Sequence, residues 1–187
     1  MKEGTRGGFG YINYRKKKTC ITSMIILLVA VAIFFIGLLL NKMSKANLFT
    51  IVAVLCVLPW AKQIVAFIVV FPYHSVSRER YEKVAALVQE PVKLYTDLVI
   101  TSPDKVMNLD FAIVGYGQVI ALVGKQGQDV AYIRKYLSEG VANWGDYKVK
   151  ILENEKLFLK EAANMTEKET KEEETEQVNS YLCSLIV

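Results

Sequence analysis

The chain has 187 residues, 52% of them hydrophobic, and a formal net charge of +4. Residues 1–72 carry nine lysines and arginines against Glu3 alone, whereas residues 73–187 carry fourteen against eighteen acids. The basic excess therefore lies beside the apolar segments and is no sign of a nucleic-acid binder; the split points to two parts in different surroundings.

Residues 1–19 form a basic N-terminus ending in the run "RKKK" at 15–18. Residues 20–40 are then uncharged and apolar, about the 20 residues that a helix needs to cross a hydrocarbon core. The stretch is too long for a signal-peptide core, and no small-residue cleavage site follows it, so it reads as a membrane anchor. A second apolar run, 48–71, is interrupted by Pro59, Trp60, Lys62 and Gln63. Pro59 lacks a backbone donor, which predicts a kink near Leu55. Lys62 reads as a lysine facing a helix neighbour or a thinned interface, because no second intramembrane charge accompanies it. Residues 20–72 thus form a two-helix transmembrane hairpin. The loop 41–47 has only Lys42 and Lys45, against six basic residues ahead of the first span, so the positive-inside rule puts both termini in the cytoplasm. Tyr11, Tyr14, Tyr73 and the sole histidine, His74, suit interfacial positions.

Residues 73–160 read as a small α/β domain. The segment 75–90 has helical spacing, with Pro91 as its stop. Three β-rich runs follow at hairpin distances: 92–100, 106–114 after the turn "TSPDK", and 118–125 after "GYG". Residues 127–145 are helical, with Asp129 near the start and Gly145 past the end, and 147–153 form another strand. Residues 161–177 are Glu- and Lys-rich, a solvated helix or linker, and the apolar "YLCSLIV" predicts a late strand. Cys20, Cys56 and Cys183 stand far apart without metal-ligand spacing, as free cysteines in reduced surroundings would.

The order α-β-β-β-α-β, with Asp110 on the second strand, Gly115 and Gly117 in the turn and Lys125 closing the third, resembles the restriction-endonuclease-like PD-(D/E)XK superfamily. The likeness is nearest to its nuclease-related domains, and its sharp part is residues 110–125. The resemblance implies an α+β fold: two N-terminal transmembrane helices followed by a cytoplasmic restriction-endonuclease-like domain. In that superfamily two acids hold a divalent metal and the lysine orients the attacking water. Here the second acid's position is Val123, so Asp110 is left as a weak candidate metal ligand, and a glutamate at 123 is expected to stand beside it. Gln128 and Tyr132 echo a Gln-x-x-x-Tyr pattern of some relatives and complete the vestigial candidate set with Asp110 and Lys125. Glu82 or Glu90 could supply a relocated carboxylate, while Asp104 reads as turn chemistry.

The expected function is a membrane-anchored interaction or assembly module on a catalytically incomplete nuclease-like fold, in a bacterial inner membrane, with no cofactor. Its expected partners are the membrane and another protein or a second copy, ahead of nucleic acid, since the acidic domain lacks a basic stripe. Two alternatives stand beside it. One is a membrane-tethered, Mg²⁺-dependent nuclease with a relocated carboxylate; the other is an accessory subunit acting through Pro59, Trp60 and Lys62.

Overall fold

The computed structural model describes residues 4–40, 48–165 and 172–187. It divides into two compact units, one formed by Met1–Asn13 with Tyr73–Val187 and the other by Tyr14–Pro72.

The second unit is helical. Helix α1 runs Tyr11–Leu40, α2 Leu48–Leu55 and α3 Val57–Val70. The runs Tyr11–Leu40 and Leu48–Val70 are long and apolar enough to cross a membrane, and apolar side chains such as Leu28 and Leu39 project outward from α1. The break between α2 and α3 falls at Cys56, one residue from the position that Pro59 predicts. Pro59 has no N–H for the Leu55 carbonyl, and the next bond, Trp60 N–H to Cys56 O, is stretched to 3.4 Å. The loop carrying Lys42 and Lys45 lies outside the described residues.

The first unit is a mixed α+β domain. After α4 (Arg78–Ala85), strands β1 (Lys93–Thr101), β2 (Val106–Gly115) and β3 (Gln118–Val123) form an antiparallel meander. Helix α5 (Val130–Ala142) then leads to β4 (Lys148–Leu152), which pairs in parallel with β3, so the sheet order is β1-β2-β3-β4. The parallel pair needs a crossover long enough to return the chain to the same end, and α5 supplies it. Asp129 caps α5 by accepting the Tyr132 amide at 3.0 Å.

Both faces of the sheet are covered. On one face Leu98, Leu109, Ala121 and Val123 pack with Ile133, Leu137 and Val141 of α5 and with Val178 and Leu182 of α7 (Glu172–Leu185). On the other, Phe111, Ile113, Ile120 and Leu122 meet Val84 of α4 and Phe158 and Ala162 of α6 (Glu155–Ala163). Strands buried on both faces read as near-continuous apolar runs, which is why "VMNLDFAIV" shows little alternation.

Three features differ from the sequence reading. "YLCSLIV" is the end of α7, and only Ile186 makes a strand-like bridge, to Ile100. Val178 and Leu182, four residues apart, share one buried helical stripe, and that periodicity outweighs local β propensity. Helix α6 bridges the expected boundary at 160/161, held by Phe158 and Ala162 and capped by Asn154. Tyr11 does not face a membrane interface: Thr96 N–H donates to Gly7 O at 2.9 Å, and Tyr11 is buried in the core with its hydroxyl donating to Val187 O at 3.0 Å. Tyr11 is therefore a core residue of the α+β domain, not an interfacial one.

Candidate functional site

The polar centre of the domain is built around a paired irregularity in the sheet. Between β2 and β3 the register shifts by one residue: Phe111 faces Leu122, but Leu109 faces Val123, which leaves Asp110 as the extra residue of a β-bulge. On β1 the corresponding interruption is Asp97, between the pairs Thr96–Phe111 and Leu98–Leu109. Asp97 has φ of 57°, in the left-handed region that among ordinary residues Asp and Asn enter most readily. Two aspartates thus oppose each other where both strands lose their regular pleat.

Asp110 projects toward α4 and α6. Its Oδ2 accepts from Arg80 Nη1 at 2.7 Å, and Arg80 Nε donates to Glu155 Oε2 at 3.0 Å, so one guanidinium bridges two carboxylates. The same guanidinium lies 5.5 Å from the centre of the Phe111 ring. Burial pushes the Asp110 carboxyl above its ordinary pKa despite Arg80, and the Glu155 charge adds to the rise. For Arg80 burial works against the charge, but the bonds to Asp110 and Glu155 outweigh it and hold the guanidinium protonated. The two ends of the pair lean in opposite directions; the short bond between them decides for an ionised pair near neutral pH.

Asp97 is 1% exposed. Its Oδ1 accepts the Val76 amide at 2.9 Å, whereas Oδ2 has no hydrogen bond of good geometry among the described residues. Burial pushes its carboxyl above the ordinary value; the Val76 amide, Ser75 and the Ile12 backbone oppose that rise, and the Asp110 charge reinforces it. Asn13 N–H donates to Ser75 Oγ at 3.1 Å. The carboxylate of Asp97 therefore gathers two segments of the α+β domain that are distant in sequence, Ile12 and Ser75–Val76.

Gly124 makes room for this centre. A methyl group there would overlap Asn108 Oδ1 and Asp110 Oδ1. Gly124→Ala is expected to cost about 1–3 kcal/mol through that overlap, read as a lowered denaturant midpoint at unchanged slope. A variant as stable as the wild type would show that Asp110 has freedom to move aside.

The vestigial candidate set does not converge on Asp110. Lys125 is exposed in the turn after β3. Gln128 is a clip: its Oε1 accepts the Asn108 amide at 2.7 Å, and its Nε2 donates to Asn108 O at 2.9 Å and Lys125 O at 3.1 Å. Tyr132 bonds Ser102 at 2.8 Å and Asp104 at 3.3 Å, with Lys105 Nζ 4.9 Å from its ring centre, so it fastens α5 to the β1–β2 turn. Val123 belongs to the α5–α7 side of the sheet, opposite to Asp110. Extending the regular pairing of β2 with β3 would set Asp110 directly across from Val123; the bulge breaks that alternation, and one residue of slip exchanges faces. Glu82 pairs with Arg78 at 3.1 Å. Glu90 lines a groove of about 560 Å³ with Gly7, Phe9, Tyr81, Val92 and Leu94. The acids grouped with Asp110 are instead Asp97 and Glu155, which sequence reasoning missed. Among the described residues no cluster of three or more His, Cys, Asp or Glu is arranged to hold a metal ion.

Within the helical unit, Trp60 lines a groove of about 260 Å³ with Cys20, Ser23, Met24, Leu27, Ile64 and Phe67, and Lys62 is exposed. Comparison of the chain with known protein families, curated proteins and solved structures gives no match.

Proposed function

We propose that this chain is a membrane-anchored interaction or assembly module whose α+β domain is a catalytically incomplete relative of the PD-(D/E)XK nucleases. The observation that carries this reading is the bridge Asp110–Arg80–Glu155. In a metal-dependent nuclease the strand carboxylates must be free to bind a hard cation. Here a guanidinium occupies that electrostatic role permanently, and the chain spends the acid on holding α4 and α6 to the sheet. The nuclease-like ancestry is supported by the antiparallel β1-β2-β3 meander, the parallel β3–β4 pair and the helices on both faces.

The apolar runs Tyr11–Leu40 and Leu48–Val70 support anchoring in a membrane, and the membrane of this proposal is a bacterial inner one. The basic residues before the first run support cytoplasmic termini. A protein partner or a second copy is the occupant this module presents itself to, because the acidic domain offers nucleic acid no basic stripe.

The test is the purified full chain incubated with DNA and RNA in Mg²⁺ or Mn²⁺. No cleavage above a metal-free control is expected. Metal-dependent cleavage abolished by Asp110→Ala would replace this reading with the tethered nuclease.

A further inference from the structure

We propose that the first turns of α1 form a binding site for the headgroup of an anionic phospholipid, made by Arg15, Lys16, Lys17 and Lys18. The inference rests on α1 being a membrane span. Four consecutive cations occupy about 6 Å of helix axis at the helical rise of about 1.5 Å per residue. No acid stands in the first turn of α1, and among the described residues none of the four takes part in an ion pair. By contrast, several cations of the α+β domain are answered by an acid: Arg80 by Asp110 and Glu155, Lys105 by Asp129, Lys150 by Glu161.

Two of the four cations are held in place by aromatic rings. Lys16 Nζ lies 5.6 Å from the centre of the Phe71 ring, and Lys18 Nζ lies 5.9 Å from that of Tyr14. Such contacts orient an ammonium without neutralising it. Arg15 supplies a further feature: its Nε is buried and, among the described residues, has no hydrogen-bond acceptor. A buried guanidinium donor without an acceptor is costly, and a phosphate oxygen meets both its geometry and its charge. The cluster immediately precedes the uncharged run 20–40, the depth at which a bilayer presents phosphodiesters. The ligand chemistry is therefore a phosphate carried at the membrane surface, with charge, rather than headgroup shape, as the basis of selection.

The test uses the full chain in detergent micelles doped with equal amounts of phosphatidylglycerol and phosphatidylcholine, with lipid retention counted by native mass spectrometry. The wild type is expected to retain phosphatidylglycerol about tenfold over phosphatidylcholine, and to lose that preference as salt is raised. Replacing Arg15, Lys16, Lys17 and Lys18 together by glutamine should abolish the preference, whereas Lys135→Gln with Lys156→Gln should leave it unchanged. Equal retention of the two lipids by the wild type overturns the proposal, and that outcome needs no variant to fold. Loss of the preference to the Lys135/Lys156 control overturns it too, as would displacement of the lipid by inorganic phosphate, which would reassign the cluster to a free anion. Extraction of the wild type from native membranes by alkaline carbonate would instead remove the membrane-span reading on which the proposal stands.

Discussion

Asp97→Ala is expected to destabilise the α+β domain by about 2–4 kcal/mol, while Asp97→Asn stays within about 1 kcal/mol of the wild type. Alanine fails on two counts. It loses the acceptor of the Val76 amide, leaving that donor buried, and it must hold φ of 57° with a side chain that disfavours the left-handed region. Asparagine keeps a carbonyl acceptor at the same place and tolerates that backbone. It also removes a buried charge beside Asp110, which offsets any weakening of the bond.

The same residue sets a pH dependence. Because the folded-state pKa of Asp97 is raised, the native domain takes up its proton more readily than the unfolded chain does. Stability therefore falls as pH rises from the ordinary aspartate value through the raised one, and mild acidification within that window stabilises. Asp110 is shifted in the same direction, so Asp97→Asn should flatten the slope without abolishing it. Denaturant titrations of the full chain at several pH values measure both effects. Hydrogen exchange at Ile12, Asn13 and Val76 adds a local reading, with faster exchange expected in the alanine variant. Identical stability of the alanine and asparagine variants would show that the carboxylate does not hold these segments.

Much of the sheet is legible in the sequence because its signals are local. "GYG" places the β2–β3 turn, with Tyr116 and Gly117 both at positive φ, and the apolar face of 130–141 places α5. The two membrane-length helices follow from composition alone. What cannot be read locally is the bulge. Nothing in "NLDFAI" distinguishes an aspartate that continues the pleat from one that interrupts it, since the cause is tertiary: Asp110 must reach Arg80, thirty residues earlier in the chain. Periodicity counted through the bulge then assigns Val123 to the face of Asp110, and the candidate set inherits that error of face. Arg80 and Glu155 carry no motif: "SRER" reads as the ordinary start of a helix, and "NEKLF" carries no local signal that sets Glu155 apart. Asp97 sits in "LYTDLVI", where a single acid among strand residues was the available signal that something unusual is buried.

Arg80→Ala is expected to destabilise the domain by about 2–3 kcal/mol, less than the about 3–5 kcal/mol for breaking a fully buried pair, because the Arg80 side chain is 32% exposed. The loss comes from Asp110, whose own side chain is only 12% exposed and would be left beside Glu155 with no cation between them. Two carboxylates released in this way are what a divalent cation needs, so Arg80→Ala is expected to gain Mn²⁺ affinity and to recover part of its stability when Mn²⁺ is added. Val123→Glu is expected to do neither. Its carboxylate would enter the apolar layer formed with Leu109, Ile133 and Leu137, on the far side of the sheet from Asp110, and would destabilise by about 3 kcal/mol or more. Calorimetric titration of both variants with Mn²⁺, beside denaturant unfolding with and without the metal, separates the two faces of β3. Gain of metal binding by Val123→Glu and not by Arg80→Ala would mean that the chain pairs β2 with β3 without the bulge, with Asp110 and residue 123 side by side.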